Sequence, residues 1–410
     1  MNFSQGISKT SVKYCIFPLL FICLPTFPRY TSAGDYFVFL VAVLFCTLVF
    51  IFEKPKAVQK HILLYFSIML CLLMISLVQD ALKGILIASD VSEILKVACY
   101  CIFFVYFYSC DSSVRLVSNN LYKLYLYVSL FIIIFNIFDV FSLFGFRDLS
   151  YILYKRETVG ILSDKAVSPL FTTYNLASFL MLPIAIFLNS FYLSVGFIKK
   201  VKYFTLFFLL MLIVLLTQSR SSLICLILVI LLVFIMNADI KKWLLFIIIV
   251  ICSVATVLYN LEFISKILPY TFNGIQQMLE GKSNSANIRA EQIAFVFNGV
   301  ESFSGQGVSK SLFMLESLYS LYPYRYGILF TMLFLFLCVY ISYLFYKYSR
   351  SIDDFKIKSL YIGLAVWFFT YSVAAISSAH HDTTKYSFFF YGMVGFAFYL
   401  KNAKKDKAIY

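Results

Sequence analysis

The feature of this chain that most constrains its fold is a succession of long apolar runs, such as LICLILVILLVFIM at residues 223–236. A helix needs about 20 mostly apolar residues to cross a bilayer, whereas a barrel strand alternates apolar and polar residues over about ten. Of the 410 residues, 62% are hydrophobic and 13% are charged, so polar side chains are too few to cover a soluble globule. The runs therefore predict an all-α, polytopic integral membrane helix bundle.

Hydropathy predicts about 12 transmembrane helices in a single integral membrane domain that covers residues 1–410. The predicted spans are roughly 14–30, 35–52, 62–78, 94–108, 122–144, 168–193, 203–218, 221–236, 243–259, 323–346, 359–377 and 386–400. Two long loops, at about 145–167 and 260–322, are the segments long enough for chemistry outside the bilayer. The first apolar stretch has no small-residue cleavage site, so we expect it to be retained.

The distribution of lysine and arginine predicts the orientation of the spans. With a cytoplasmic N-terminus, most basic residues fall in cytoplasmic segments, as the positive-inside rule requires, and both termini lie in the cytoplasm. The positive-inside rule then accounts for the net charge of +14, and we expect no nucleic-acid partner.

Basic residues of the two outer loops and their edges depart from this rule, among them Arg147, Arg156, Arg220, Arg289 and Arg325. Two explanations are open. Long loops escape the charge rule, which makes the arginines incidental. Alternatively, the guanidinium groups bind an anionic substrate, because their planar fork matches phosphate and pyrophosphate oxygens.

Two motifs contain such an arginine. The first, LTQSRSSL at 216–223, places Arg220 in a hairpin between two apolar spans, where it is either a snorkelling anchor or a functional cation. The second, IRAEQIAFVFNGVESFSGQGVSK at 288–310, begins with a predicted amphipathic helix whose N-cap is expected at Asn287. Arg289 in its first turn is either solvated or part of an anion site.

Two further features complete the pattern. Gly305 and Gly307 form a Gly-x-Gly at the end of the second motif, which more often makes only a tight turn. A third motif, ESLYSLYPYRYGILF at 316–330, has an acidic residue ahead of a tyrosine-rich entry into the next span.

In this order and topology, the three motifs resemble the O-antigen ligase and polymerase superfamily of bacterial inner membranes. The segment RETVGILSDKAVSPLFTTYNLASFL at 156–180 resembles the preceding loop of that family, and the likeness covers about the latter two-thirds of the chain. Ligases typically carry a His-Asn pair where this chain has Glu316-Ser317, and residues 260–325 contain no histidine. The resemblance therefore favours a polymerase, although the twin Arg-x10-Gly motifs of some polymerases are not met here.

The resemblance implies an enzyme at the periplasmic face that polymerises oligosaccharide repeat units linked through pyrophosphate to undecaprenol. It implies transfer of the growing chain onto a sugar hydroxyl of the next unit, with undecaprenyl pyrophosphate as the leaving group and no metal or other cofactor. The expected partners are this lipid-linked oligosaccharide, membrane lipid, and a flippase and a chain-length regulator of the same pathway.

The resemblance also suggests roles for individual residues. Arg220 and Arg289, followed by Arg156, are the expected catalytic cations, since arginines stabilise a departing pyrophosphate through charge-assisted hydrogen bonds. Glu316 is the expected general base, with Glu291, Glu301 and Asp382 as alternatives. On spacing alone, Glu316 is about as readily a salt-bridge partner of Arg325 or Lys310.

The remaining candidates are expected substrate contacts rather than reacting groups, namely Arg147, Gly305, Gly307, Tyr319, Arg325, His380 and His381. His380, His381 and Asp382 are residue types that bind metals, but adjacent histidines point apart and no third ligand lies nearby in sequence. We expect either substrate contact or a solvated loop. Tyr270, Tyr319, Tyr322 and Tyr324 can stack on sugars, although membrane-interface anchoring is the ordinary role of tyrosine and is preferred here.

Two other function classes remain open. An O-antigen ligase would share the same fold. A lipid-linked sugar flippase or transporter would also have many spans, but it should carry ionisable residues near the bilayer midplane. Such residues are scarce within the predicted spans.

Overall fold

The computed structural model of the protein describes residues 9–24, 40–44, 46–47, 59–109, 112–153, 173–237, 259, 276–277, 280, 284–298, 304–308 and 315–405. Every regular element within these residues is a helix. Seven of the described helices are long and apolar enough to cross a membrane. The predicted class is therefore confirmed, and the chain is a multi-pass helical membrane protein.

An N-terminal helical stretch runs through Lys9–Ser11, a π-helical turn at Val12–Ile16, and Phe17–Cys23. The later helices are α1 (Lys60–Leu82), α2 (Ala88–Tyr108), α3 (Val114–Val140), α4 (Phe146–Leu153), α5 (Thr173–Leu193), α6 (Phe197–Leu216), α7 (Arg220–Asn237), α8 (Asn284–Asn298), α9 (Leu318–Tyr326), α10 (Ile328–Ser349), α11 (Phe355–Ala374) and α12 (Thr384–Lys405).

The seven membrane-length apolar helices are α1, α2, α3, α5, α7, α10 and α11. Helix α6 has a comparable length but carries three lysines among its first six residues, and α12 is rich in tyrosine, glycine and lysine. Both pack within the same bundle. The spans predicted at 35–52 and 243–259 lie largely outside the described residues, so the count of twelve stays a prediction.

Helix α12 lies in the interior of the bundle. Its side chains are buried continuously from Lys385 to Leu400, and it packs mainly along α2. A Cβ atom added at Gly392 or Gly395 would meet the ring of Phe107 or the backbone of Phe104 at 2.5 and 2.2 Å. The two glycines thus permit the close helix approach that is typical of membrane bundles, where small residues line the interfaces.

The helix ends form two groups at opposite ends of the bundle. The group that we call the loop end is held together by bonds such as Leu318 N to Ala375 O (3.0 Å) and Lys385 Nζ to Ile22 O (2.8 Å). The loop end consists of residues 83–87, 217–219, 304–308, 315–327 and 375–383. The opposite group, the basic end, consists of residues 9–13, 109 and 112–113, 194–199, 350–354 and 401–405. There, Lys13 Nζ donates to Ser109 O (3.1 Å).

The span predicted at 323–346 begins later than expected, because residues 318–326 form a separate short helix. Gly327 lies between α9 and α10 with a φ of 83°, a left-handed conformation that favours glycine. Pro323 lies inside α9. The backbone therefore turns at Gly327, and α9 stays at the loop end with all of its residues except Tyr319 buried.

Candidate functional site

Four charged side chains from distant parts of the sequence meet at the loop end. Arg325 Nη1 in α9 lies 2.9 Å from Glu93 Oε2 in α2 and 3.4 Å from Asp382 Oδ2 in the turn before α12. Lys96 Nζ lies 3.0 Å from Glu93 Oε1 and 3.3 Å from the same Asp382 oxygen. We call these four residues the charge quartet.

The charge quartet is electrically balanced, with two cations facing two anions. Burial by itself would raise the pKa of Asp382, but Lys96 and Arg325 together lower it more, so the pKa lies below its ordinary value. Burial would likewise lower the pKa of Arg325, which Glu93 and Asp382 raise above its ordinary value. Asp382 and Arg325 therefore stay charged, and Arg325 already has two carboxylate partners.

A short backbone segment, residues 304–308, is docked against the charge quartet and the end of α1. Val308 N donates to Asp80 Oδ2 (2.6 Å), and Arg325 Nε donates to Val308 O (3.4 Å). Lys83 Nζ donates to Gln306 O (2.7 Å). These bonds satisfy backbone groups of a segment outside any helix, which would otherwise be costly to bury.

The two predicted substrate-contact glycines lie in this docked segment. A Cβ atom at Gly305 (φ 83°) would meet Arg325 O at 2.6 Å, and one at Gly307 (φ 153°) would meet Asp80 Oδ1 at 2.1 Å. The Gly-x-Gly thus allows the backbone to approach α9 and α1 closely. This packing accounts for both glycines without a ligand, and their role as substrate contacts stays a prediction.

The adjacent histidines are buried, with relative exposures of 1% for His380 and 0% for His381, so the expectation of a solvated loop was wrong. Burial lowers the pKa of His380 to about 4 and that of His381 to about 3, so both imidazoles are neutral near pH 7. The described residues contain no group of three or more His, Cys, Asp or Glu side chains that could hold a metal ion.

The histidine ring nitrogens are hydrogen-bonded within the protein. His381 Nδ1 bonds the hydroxyl of Tyr371, and its Nε2 bonds that of Tyr322. His380 Nδ1 lies 2.7 Å from the Asn175 amide oxygen, and its Nε2 lies 3.2 Å from Ala374 O. A neutral imidazole carries a single N–H, so His380 donates to only one of these two oxygens.

Two tyrosines of α9 pack inside the bundle and are not interface anchors. Tyr322 and Tyr324 are 0% and 2% exposed, which overturns the anchoring expectation for these two side chains. Tyr319 is half-buried, and its hydroxyl donates to Ser372 O (2.9 Å). Tyr270 lies outside the described residues.

Arg289 and Glu316, two of the predicted catalytic residues, are brought together at the loop end. Arg289 Nη2 lies 3.6 Å from Glu316 Oε2, and the side chains are 22% and 49% exposed. Glu316 also accepts a backbone bond from Ala379 N (2.8 Å). The expected pairing of Glu316 with Arg325 is wrong, since Arg325 pairs with Glu93 and Asp382, and Lys310 lies outside the described residues.

Helix α8, which positions Arg289, begins at Asn284, so the N-cap expected at Asn287 is wrong. Its inward face centres on Val296, which is fully buried, whereas the adjacent Phe297 is exposed. Phe295 stacks on Tyr324 of α9 with ring centroids 6.2 Å apart. This contact places the last turn of α8 beside α9.

The other predicted residues are distributed around the loop end. Arg220 is the first residue of α7 and is half-buried, and α7 packs on the last turns of α11 through Cys225 and Thr370. Arg147 is half-buried in α4, where its carbonyl accepts from Ser150 Oγ (2.9 Å). Arg156, Glu301 and Lys310 lie outside the described residues.

Comparison with protein-family models, curated proteins and solved structures gives no match to this chain. The functional argument therefore depends on the geometry of the loop end.

Glu93, Lys96 and Asp80 were not among the predicted site residues. The available signal was an acid–base pair three residues apart, Glu93 and Lys96, at the edge of an otherwise apolar run. The predicted span began at 94 because hydropathy excludes charged residues, whereas the helix begins at Ala88. No local pattern indicates that Glu93 and Lys96 pair with residues as distant in sequence as Arg325 and Asp382.

Proposed function

We propose that the protein is a metal-independent glycosyltransferase of the bacterial inner membrane that polymerises undecaprenyl-pyrophosphate-linked oligosaccharide repeat units for an O-antigen or related surface polysaccharide. The observation that carries the proposal is the Arg289–Glu316 pair. A cation and a carboxylate lie 3.6 Å apart, both partly exposed, at the end of a membrane bundle where Arg220 also begins a helix.

This pair suits the bond changes of the reaction. A sugar hydroxyl of the incoming unit attacks the anomeric carbon of the growing chain, and the bond between that carbon and the pyrophosphate oxygen breaks. Glu316 accepts the hydroxyl proton. Negative charge develops on the departing undecaprenyl pyrophosphate, which Arg289 and Arg220 stabilise through charge-assisted hydrogen bonds.

Arg289 suits the anion-binding role better than Arg325 does. Arg325 is 5% exposed in its side chain and lies against two carboxylates, so a pyrophosphate would have to displace Glu93 and Asp382 to reach it. Removing the partner of a buried charge is costly, by about 3–5 kcal/mol. We therefore assign Arg325 to holding the site together.

The proposed orientation places the loop end in the periplasm and both termini in the cytoplasm. It is supported by the basic end, whose lysines and arginines would lie in the cytoplasm under the positive-inside rule. The described basic residues of this end are Lys9, Lys13, Lys199, Arg350 and Lys401, and Arg115, Lys200, Lys202, Lys356 and Lys358 lie within four residues of it along the chain. A flippase would deliver the lipid-linked units to the loop end, and a chain-length regulator would act beside it.

The charge quartet favours a second candidate, a lipid-linked sugar flippase, because buried ionisable residues in a membrane bundle often mark a transport path. Glu93 lies five residues after the start of α2 at Ala88, which is about 7.5 Å along the helix axis. The quartet therefore lies about halfway between the start of α2 and the midplane of a bilayer about 30 Å thick, short of the depth at which transporters bind their substrates. This depth favours chemistry at the surface over transport.

The test is a deletion strain complemented with Arg220→Ala or Arg289→Ala, with Arg350→Ala at the basic end as the matched control. We expect both loop-end variants to insert normally but to leave single repeat units on the carrier, whereas the control restores long chains. Normal long chains in both loop-end variants would overturn the catalytic assignment. In the deletion strain itself, loss of all O-antigen from the lipid A core would indicate a ligase, and repeat units accumulating on the cytoplasmic side would indicate a flippase.

A further inference from the structure

A polar cavity lies at the basic end, at the opposite end of the bundle from the Arg289–Glu316 pair. It has a volume of about 540 Å³, within the range of small-ligand sites. Its walls are one face of α3 and the residues that lead into α11, namely Leu116, Asn119, Asn120, Lys123, Asp353, Asp354, Phe355 and Lys356. No step of the proposed reaction uses any of them.

Asn120 indicates that this cavity accepts a ligand. Its side chain is 4% exposed, and its Nδ2 has no hydrogen-bond partner within the described part of the chain. Burying an amide donor without a partner is unfavourable, so the group requires an acceptor from outside these residues. Asn119 and Lys123 lie on the same face of α3, since positions three and four apart are neighbours on a helix.

The charges around the cavity restrict the class of ligand. Lys123 and Lys356 supply two ammonium groups, and Asp353 and Asp354 supply two carboxylates. Asp354 Oδ1 already accepts from Lys356 N (2.9 Å) as the N-cap of α11, whereas Asp353, which also lines the cavity, is exposed. A balanced set of cations and anions matches a zwitterion better than a simple anion.

The depth of the cavity points to a membrane lipid. Helix α3 has 27 residues and is therefore about 40 Å long, which exceeds the hydrocarbon thickness of about 30 Å. Asn120 lies six residues from the start of α3 at Val114, about 9 Å along its axis. Asp353 and Asp354 immediately precede the first residue of α11. The cavity thus lies where a span meets the headgroup layer.

We propose that this cavity binds the headgroup of a phospholipid that carries a primary ammonium beside its phosphate. The phosphate accepts from Asn120 Nδ2 and from the ammonium groups of Lys123 and Lys356, and the headgroup ammonium donates to Asp353. Such a lipid would fix the basic end in the cytoplasmic leaflet, independently of the reaction at the loop end.

The test measures thermal unfolding of the full chain in detergent while phosphatidylethanolamine, phosphatidylcholine, phosphatidylglycerol or inorganic phosphate is added. Phosphatidylethanolamine should raise the unfolding temperature most, because the quaternary ammonium of phosphatidylcholine has no N–H donor and phosphatidylglycerol has no cation. Equal protection by phosphatidylglycerol, by phosphatidylcholine or by inorganic phosphate would overturn the proposed headgroup.

Variants at the cavity provide the second arm of the test. Asn120→Leu and the exposed Lys123→Gln should each weaken phosphatidylethanolamine binding about tenfold, the value of one charge-assisted hydrogen bond. Asn136→Leu, on the same helix but outside the cavity, removes an amide that already donates to Ile132 O (2.9 Å) and should leave binding unchanged. If Asn120→Leu fails to fold, Lys123→Gln still decides the matter. Unchanged lipid affinity in the folded cavity variants would overturn the proposal.

Discussion

Arg325 Nη1 lies 2.9 Å from Glu93 Oε2, although the two residues are 232 positions apart in the sequence. This ion pair joins α9 to α2, and the same guanidinium reaches Asp382 ahead of α12. One arginine side chain thus connects three parts of the loop end.

Substitution of Arg325 by methionine should be strongly destabilising. The change leaves the buried Glu93 and the half-buried Asp382 with Lys96 as their remaining cation, and removing one partner of a buried pair typically costs about 3–5 kcal/mol. We expect a clear fall in the thermal unfolding temperature in detergent. Arg350→Met, an exposed arginine at the basic end, should change stability by no more than about 0.5 kcal/mol.

The double variant Arg325→Met/Glu93→Met distinguishes a coupled pair from two independent contributions. Replacing both members by apolar side chains should recover part of the stability that Arg325→Met loses, since the uncompensated charge is removed. A double variant whose loss equals the sum of the two single losses would contradict the pairing.

Gly307→Ala should release residues 304–308 from the bundle. The added Cβ would lie 2.1 Å from Asp80 Oδ1 at a φ of 153°, so overpacking and backbone strain together should cost about 2–5 kcal/mol. The matched control is Gly84→Ala, where φ is 70° and no atom lies within 4 Å, so strain alone should cost about 1–2 kcal/mol. Hydrogen exchange at 304–308 should rise in the first variant only.

Stability should fall as the pH is lowered from about 6.5 toward 4. In the folded protein, burial lowers the pKa of His380 to about 4 and that of His381 to about 3, against an ordinary value of 6.5. The unfolded chain therefore binds protons in this range that the folded chain does not, at up to about 1.4 kcal/mol per pH unit for each histidine. The unfolding temperature between pH 7 and pH 5 measures this slope.

Variants assign the slope to the histidines. His380→Gln/His381→Phe should flatten it, whereas Tyr371→Phe keeps both imidazoles and should keep the slope even if overall stability changes. A slope that persists in the double variant would place the proton uptake elsewhere. Asp382 affects a separate range, because its pKa is lowered and its contribution is lost only below its ordinary value of 3.8.

Glu316→Gln tests the proposed general base. The side chain is 49% exposed, so stability should change by no more than about 0.5 kcal/mol, while polymerisation of lipid-linked repeat units in proteoliposomes should slow by about 100-fold or more. The comparison is Glu291→Gln, an exposed carboxylate on the same helix as Arg289. Loss of activity in the Glu291 variant with full activity in the Glu316 variant would move the base to Glu291.

Much of the bundle is readable from local sequence, because a span is defined by about 20 consecutive apolar residues. Helices α1, α5 and α7 lie close to their predicted ranges. The arrangement of charged residues is harder to predict from local sequence. The histidines at 380–381 follow polar residues and so indicated an exposed loop, yet the packing of α11 and α12 encloses them.

The sequence by itself determined that the chain is a helical membrane protein and predicted that its basic residues concentrate on one side of the membrane. Both properties follow from the composition of contiguous residues, which water and lipid select without reference to distant partners. Only the tertiary structure decided which charges meet. Glu93, Lys96, Arg325 and Asp382 come from three separate segments, and the buried Glu93 and Arg325 are stable there because their partners supply the opposite charge. The same packing paired Arg289 with Glu316 and left both partly exposed.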